Sequence, residues 1–398
     1  MSRPYQYEVF ERLTGFNTVS ALSNVPAAEY LADQLDDHGF KCALHQIEIG
    51  GVRQANLVAW TGPAEANGLI ISGHIDTVPF EGQPGWQRDP LKLEVTDERI
   101  YGRGASDMKG FIAQCVEVAR VLEALKLRRP LVFVFTANEE VGGEGAKRVA
   151  PELPHLLGDV PTPRLAWIGE PSSNRVIRAQ KSIATLSVKV SGRGGHSGLP
   201  EQGVNAIAVM GKVINALGGL QAERRRARDA ELAALFPDSP YDVMNFGVIS
   251  GGLAHNIIAE ECTLKVSYRS LPNADPMKLY NEIERVIGEI DPHDYGSPEH
   301  RAAIKISAPL VLPPMIAPAG TALEQALFAA TGTDTTEGAL YWTDGGWFAG
   351  EGIQTLICGP GEFEQAHRPN ESIARGAFDA GPAMILSVID RLCCHPAD

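Results

Sequence analysis

The 398-residue sequence predicts an α/β fold interrupted by a smaller α+β domain. Three observations predict it. Short, continuously apolar runs alternate with helix-like stretches over residues 1–180. Strict apolar/polar alternation replaces them over 181–309, and α/β character returns over 310–398. Continuous runs mark strands covered on both faces, as in a parallel sheet. Period-two alternation marks a sheet wetted on one face, typically antiparallel.

In chain order, residues 25–38 read as a helix and 69–73 as a short buried strand ending on His74-Ile75-Asp76. Residues 110–125 carry one broad apolar face and read as a helix. Residues 131–135 (Leu-Val-Phe-Val-Phe) are a buried strand, 144–150 open a helix, and 165–168 are a further strand. Strands alternating with helices argue for layered α/β architecture. Leu186, Val188 and Val190 then alternate with Thr185, Ser187 and Lys189, and Cys262, Leu264, Val266 and Tyr268 alternate with Thr263, Lys265, Ser267 and Arg269. Helices are expected at 202–217 and 276–289, with a last alternating strand at 303–307. That order reads as a ferredoxin-like β-α-β-β-α-β unit. A Pro-rich stretch at 309–314 closes it, followed by helix 320–331, strand 355–358 and helix 374–393. The simplest topology is one domain, 1–180 with 310–398, carrying an inserted lid at 181–309.

Hydrophobic residues are 44% and charged residues 21%, enough apolar material for sizeable cores. Lys+Arg is 35 against Asp+Glu 49, a net charge of -14 that disfavours nucleic acid and anionic membranes as partners. The run Arg224-Arg225-Arg226-Ala227-Arg228 is flanked by acids and reads as a solvated helix face. The N-terminus lacks a basic-then-apolar leader pattern, and no apolar run is long enough to span a bilayer. Cys42, Cys115, Cys262, Cys358, Cys393 and Cys394 show no framework spacing, so reduced thiols and a cytoplasmic location are expected.

The apolar strands end on residues that ligate metals. Residues 69–73 end on His74 and Asp76, 131–135 lead to Glu139-Glu140, 165–169 end on Glu170, and 355–358 run through Gly-Pro-Gly towards His367. A Gly-rich segment, 102–110, places Asp107 just before a helix. Open α/β sheets bind ligands beyond the carboxyl ends of their strands, so residues distant in sequence can converge there. Two His with three carboxylates suit two divalent ions of borderline softness, one carboxylate bridging. Asp76, two residues after His74 and expected on the same strand face, is placed to hold the imidazole's second nitrogen. No dinucleotide loop, P-loop or serine nucleophile elbow is present.

Five segments carry a resemblance: Ser-Gly-His-Ile-Asp-Thr-Val-Pro at 72–79, Tyr-Gly-Arg-Gly-Ala-Ser-Asp-Met-Lys-Gly at 101–110, Asn-Glu-Glu-Val-Gly at 138–142, Gly-Glu-Pro at 169–171 and Gln-Ala-His-Arg-Pro at 365–369. In order and spacing they resemble the co-catalytic dizinc aminoacylase/carboxypeptidase metallopeptidases, and within these the acetylornithine deacetylase branch. The resemblance spans essentially the whole chain. It implies a zinc-peptidase-like catalytic domain with a lid and dimerisation domain. It further implies two divalent cations, zinc or alternatively cobalt, with Asp107 bridging, His74 and Glu170 completing one site and Glu140 and His367 the other. Glu139 would be the general base, Asp76 the partner of His74, and the Asp107–Met108 peptide cis. The Gly-Arg-Gly-Gly-His-Ser-Gly segment at 192–198 resembles the family's lid motif, whose histidine, here His196, reaches the partner subunit's active site. Asn256 and Arg269 match residues that bind substrate carboxylate or oxyanion.

The implied enzyme is a homodimeric hydrolase of linear amide bonds. It would take N2-acetyl-L-ornithine to L-ornithine and acetate, a step of arginine biosynthesis. A dipeptidase or carboxypeptidase, a succinyl-diaminopimelate desuccinylase and a non-catalytic binding relative are the alternatives. The Tyr-Trp-Thr-Asp-Gly-Gly-Trp stretch at 341–347 is only partly like that branch, and it is expected to line the substrate pocket.

Overall fold

The computed structural model describes residues 4–122, 125–294 and 299–395. Of the helix expected at 110–125, Lys109–Val121 is helical, and 123–124 lie outside the described residues. The chain divides into two compact units, Met1–Ala179 with Met315–Asp398, and Gln180–Pro314.

The first unit is built on a mixed sheet. Its central path runs Lys41–Ile49, Val52–Thr61, Leu131–Thr136, Leu69–His74, Leu165–Ile168, Gln354–Ile357, Val176–Gln180 and Met315–Ile316. The middle four are mutually parallel neighbours: Leu69 pairs with both Leu131 and Leu165, and Gln354 with Leu165. Successive side chains of these strands enter two different cores. Leu69, Ile71, Leu131, Phe133, Phe135 and Trp167 join helices Tyr5–Gly15, Val25–Asp36, Lys109–Val121 and Arg375–Ile389 on one face. Ile70, Val132, Val134, Ala166 and Ile168 join Ala146, Val149 and Phe348 on the other. Both faces are therefore apolar, which is why these strands carry no alternation. Each fully buried large side chain contributes about 1.5–3 kcal/mol of transfer free energy. The first two strands form a hairpin with Ile49 opposite Val52. Its two-residue turn has φ 57° at Gly50 and 82° at Gly51, which glycine adopts without a Cβ penalty.

In the second unit, Val243–Gly251, Glu261–Arg269, Ile183–Ser191 and Ala303–Ile306 lie side by side in that order, all antiparallel. Helices Ala206–Arg226 and Pro276–Gly288 bury Val209, Val213, Leu217, Leu279 and Ile283 against Val188, Val190, Leu264 and Val266 on one face. Leu310–Leu312 pairs with 183–185, which carries the unit to Pro314, five residues past the expected 309. The helix expected at 202–217 starts at Ala206, where Asn205 accepts from the Ile207 and Ala208 N–H groups, and runs to Arg226. Arg224 pairs with Glu282, while Arg225, Arg226 and Arg228 face solvent. No described helix is long and apolar enough to cross a membrane.

Candidate active site

Because the central strands are parallel, their carboxyl ends share one edge of the sheet. His74 is the last residue of its strand and is paired with Thr136, the last of the next. Glu170 lies two residues beyond Ile168. Glu139 and Glu140 sit in a one-turn helix, Glu139–Val141, entered through Asn138 at φ 65° and left through Gly142 at φ 125°. Asp107 precedes helix Lys109–Val121, and its peptide to Met108 is cis. Two glycines let that helix sit on the strand ends. A Cβ at Gly169 would lie 2.0 Å from the Phe111 ring, and one at Gly73 would lie 2.7 Å from the Met108 methyl.

Asp107 is divided between two donor groups. Its Oδ1 is 2.9 Å from His74 Nε2, which is also 3.6 Å from Glu170 Oε1. Its Oδ2 is 3.2 Å from His367 Nε2, which is 2.8 Å from Glu140 Oε2. His74, Asp107 and Glu170 form one group with ligand atoms close enough to share a cation, and Asp107, Glu140 and His367 form the other. The first group is buried throughout, whereas the His367 side chain is 55% exposed.

The electrostatics of the cluster follow from burial and crowding. Burial, reinforced by the charge of Glu170, raises Glu139 well above its ordinary range. Burial and Asp107 do the same to Glu170, and push Glu140 up to about 7 against the pull of His367. Burial opposes a charged His74, but Glu170 and Asp107 outweigh it and raise its pKa. Hydrogen bonds with Asp107 and Glu140 raise His367 to about 10. Burial works against an ionised Asp107, yet hydrogen bonds from His367 and His74 hold its carboxyl low. Crowded, buried carboxylates thus favour nearby positive charge. Two His and three carboxylates in two overlapping trios, short of cationic charge, fit two divalent ions.

Asp76 differs from its expected placement. The strand ends at His74, so Asp76 does not share its face. The main-chain carbonyl of Asp76 takes His74 Nδ1 at 2.9 Å, while its carboxylate Oδ1 is 3.7 Å from that nitrogen. The carboxylate instead accepts from the N–H groups of Glu139 (3.0 Å) and Glu140 (3.3 Å) and from Ser20 Oγ (2.6 Å). Asp76 therefore fixes the turn carrying both glutamates through its carboxylate and the imidazole through its carbonyl.

The family model for peptidase family M20/M25/M40 matches residues 70–391, a span that holds every member of both donor groups. The chain belongs to that family. Family M20/M25/M40 members hydrolyse amide bonds, and this chain is such a hydrolase. It is 32% identical over 400 residues to the acetylornithine deacetylase of Erwinia tasmaniensis, covering 98% of this chain and 99% of that one. It is 33% identical to the acetylornithine deacetylase of Pasteurella multocida, with 98% of each chain covered. Among solved structures it resembles the aminopeptidase PepT of Bacillus cereus (TM-score 0.74, 19% identity, 98% of each chain). It also resembles the Bacillus subtilis YXEP protein, described as a dinuclear metal-binding peptidase of the M20 family (TM-score 0.65, 15% identity, 96% of this chain and 97% of that one). Such structural likenesses establish the M20 fold and no more.

The three remaining expected residues of this M20/M25/M40 chain lie in the Gln180–Pro314 unit, and all the cation-binding candidates lie in the other. His196 is exposed in a two-residue ladder, Gly195–His196 against Ile257–Ile258, and its Nδ1 accepts the Gly198 N–H at 3.1 Å. Asn256 is brought beside it, its carbonyl accepting the Ser197 N–H at 3.1 Å. Arg269 ends a strand of the larger sheet, half-buried, and burial lowers its pKa.

Sequence reasoning missed Asp344 and Glu371. Asp344 is fully buried and accepts Thr136 Oγ1 at 2.6 Å, and burial pushes it up to about 7. An acid set among Trp342, Trp347 and two glycines was the available signal. Glu371 follows His367 by four residues and is buried as deeply as Asp344.

Proposed function

We propose that the chain deacylates N-acylated amino acids, with N2-acetyl-L-ornithine the substrate and L-ornithine and acetate the products. The observation that carries the reading is Asp107 shared between two donor groups, with the buried Glu139 beside them and in neither. The deacetylase names of full-length relatives support the substrate. His74, Asp107 and Glu170 would hold one cation, and Asp107, Glu140 and His367 the other. We take the metal to be zinc, with cobalt an effective substitute. When bound, such a pair supplies Lewis acidity, lowering the pKa of water and polarising the amide carbonyl.

The chain's own groups supply the rest. Glu139, buried and in neither donor group, takes the proton of the attacking water and passes it to the leaving amine. Asp76 holds Glu139 in place through its N–H. His196 would donate to the developing oxyanion, an effect of about 3 kcal/mol per donor. Arg269 and Asn256 would bind the α-carboxylate. Six free cysteines suit a reducing cytoplasm. Hydrolysis rates across N-acetyl and N-succinyl amino acids, their carboxamides and simple dipeptides test the reading. N-acetylornithine should have the highest kcat/KM, and carboxamides should fall steeply. A dipeptide preference, or carboxamides cleaved as fast as acids, would refute it.

The active unit in this proposal is a homodimer. The strand Val243–Gly251 ends its sheet with Val248 55% and Ile249 54% exposed, an open edge that a second copy would cover. His196 would then serve the partner's site. Glu139→Ala and His196→Ala should each be nearly inactive, and refolding them together should restore activity, at up to one working site per hybrid. Inactive hybrids of verified composition would confine His196 to its own chain.

A further inference from the structure

The loop that bears Asp107 is gathered around one carboxylate. Glu371 Oε1 accepts the N–H groups of Ser106 (2.9 Å) and Asp107 (3.1 Å). Its Oε2 accepts the Gly104 N–H (3.1 Å) and Arg103 Nη1 (2.9 Å), and its main-chain carbonyl accepts the Gly102 N–H at 3.1 Å. Arg103 and Glu371 are each 1% exposed, so this pair is shielded from water and its bonds are strong. The network does not stop there. Arg103 Nη2 donates to Gln83 Oε1 at 2.7 Å, and Gln83 Nε2 donates to the main-chain carbonyl of His367 at 2.7 Å. Trp86 Nε1 holds the same Gln83 oxygen at 3.0 Å, and the Arg103 guanidinium lies 5.0 Å over its ring.

We propose that Glu371 is a positioning residue which, through Arg103 and Gln83, clamps the Asp107 loop and the His367 loop in one fixed spacing, so that the Asp107–Glu140–His367 site is set before a cation arrives. The proposal rests on the reading that these residues hold metal. His367 needs such a clamp more than His74 does. Its side chain is mostly exposed and its backbone sits at φ 61°, in the left-handed region that non-glycine residues seldom occupy. His74 is held by a buried sheet strand. Only a carboxylate satisfies all four donors around Glu371, because an amide would turn an N–H₂ towards two of them.

The test is cobalt(II) titration of chelator-treated protein, followed by visible absorption with a competing chelator. Three chains are compared: wild type, Glu371→Gln and Gln83→Ala. Gln83 is only partly buried, so its variant should fold even where Glu371→Gln does not. Wild type should bind two cobalt ions. Gln83→Ala should weaken one of them by roughly 10–100-fold and leave the other unchanged, with activity restored by excess cobalt. Glu371→Gln, where folded, should weaken both. A purely structural role would lower the melting temperature of the metal-free variants while leaving cobalt affinity untouched, and that result overturns the clamp. Wild type binding no cobalt would overturn the metal reading and the clamp with it. Wild type binding two, with Gln83→Ala as tight, overturns the clamp alone.

Discussion

Glu139→Gln is expected to lower kcat by roughly 10²–10⁴-fold while both cations stay bound. The amide keeps the size of the side chain and its main-chain bond to Asp76, but cannot accept a proton. Glu139 lies in neither donor group, so neither cation should depend on it. The neighbouring change has the opposite character. Glu140 Oε2 is 2.8 Å from His367 Nε2, so Glu140→Gln should first lose the cation of that group and recover turnover as metal is added. Metal content and steady-state kinetics on the same samples decide the matter. Equal metal loss in both variants, or an active Glu139→Gln, would remove the division of labour.

Chelation is expected to make stability strongly pH-dependent. In the metal-free protein Glu140 and Asp344 have folded pKa values of about 7 against ordinary values of 4.5 and 3.8, and His367 about 10 against 6.5. Glu139, Glu170 and His74 are raised as well. Each of these groups binds its proton more tightly in the folded chain. Its contribution is complete below the unfolded pKa and is lost as pH rises through the folded one. Asp107, held low, works the other way in acid, and buried Lys109, lowered to about 7, works the other way above neutrality, but the raised groups outnumber these two. The metal-free melting temperature should therefore fall as pH rises from about 5 to about 9. Bound cations replace those protons, so the loaded enzyme should show little of this fall, and its metal affinity should rise with pH. Scanning calorimetry with and without chelator measures both curves. Parallel curves would mean that the cluster does not exchange protons for metal.

What the sequence disclosed follows from how local each signal is. Strands 131–135 and 165–168 were legible because burial on both faces leaves an unbroken apolar run. Their polar ends were legible because His74, Glu139, Glu140 and Glu170 interrupt such runs abruptly. The Lys41–Ile49 and Val52–Thr61 hairpin announces itself in the sequence only through Gly50-Gly51 between two β-rich segments. Helix Ala206–Arg226 outruns its expected end because Gly218 and Gly219 argue against helix locally, while Leu217 and Leu220 are buried on the sheet and override them. The second role of Asp76 and the place of Glu371 were out of reach. Each depends on main-chain N–H groups from another segment, and no residue pattern records where those amides point.

The pairing of Gln354–Ile357 with Leu165–Ile168 joins segments on either side of a unit that spans Gln180–Pro314. Four of the five candidate ligands, His74, Asp107, Glu140 and Glu170, leave the ribosome before that unit is made, whereas His367 follows it. The last ligand is thus delivered by a strand that must find its neighbour across nearly two hundred positions, a slow kind of closure. An unfinished chain holds its carboxylates without their exposed histidine. Full metal loading would therefore wait for residues made after the Gln180–Pro314 unit.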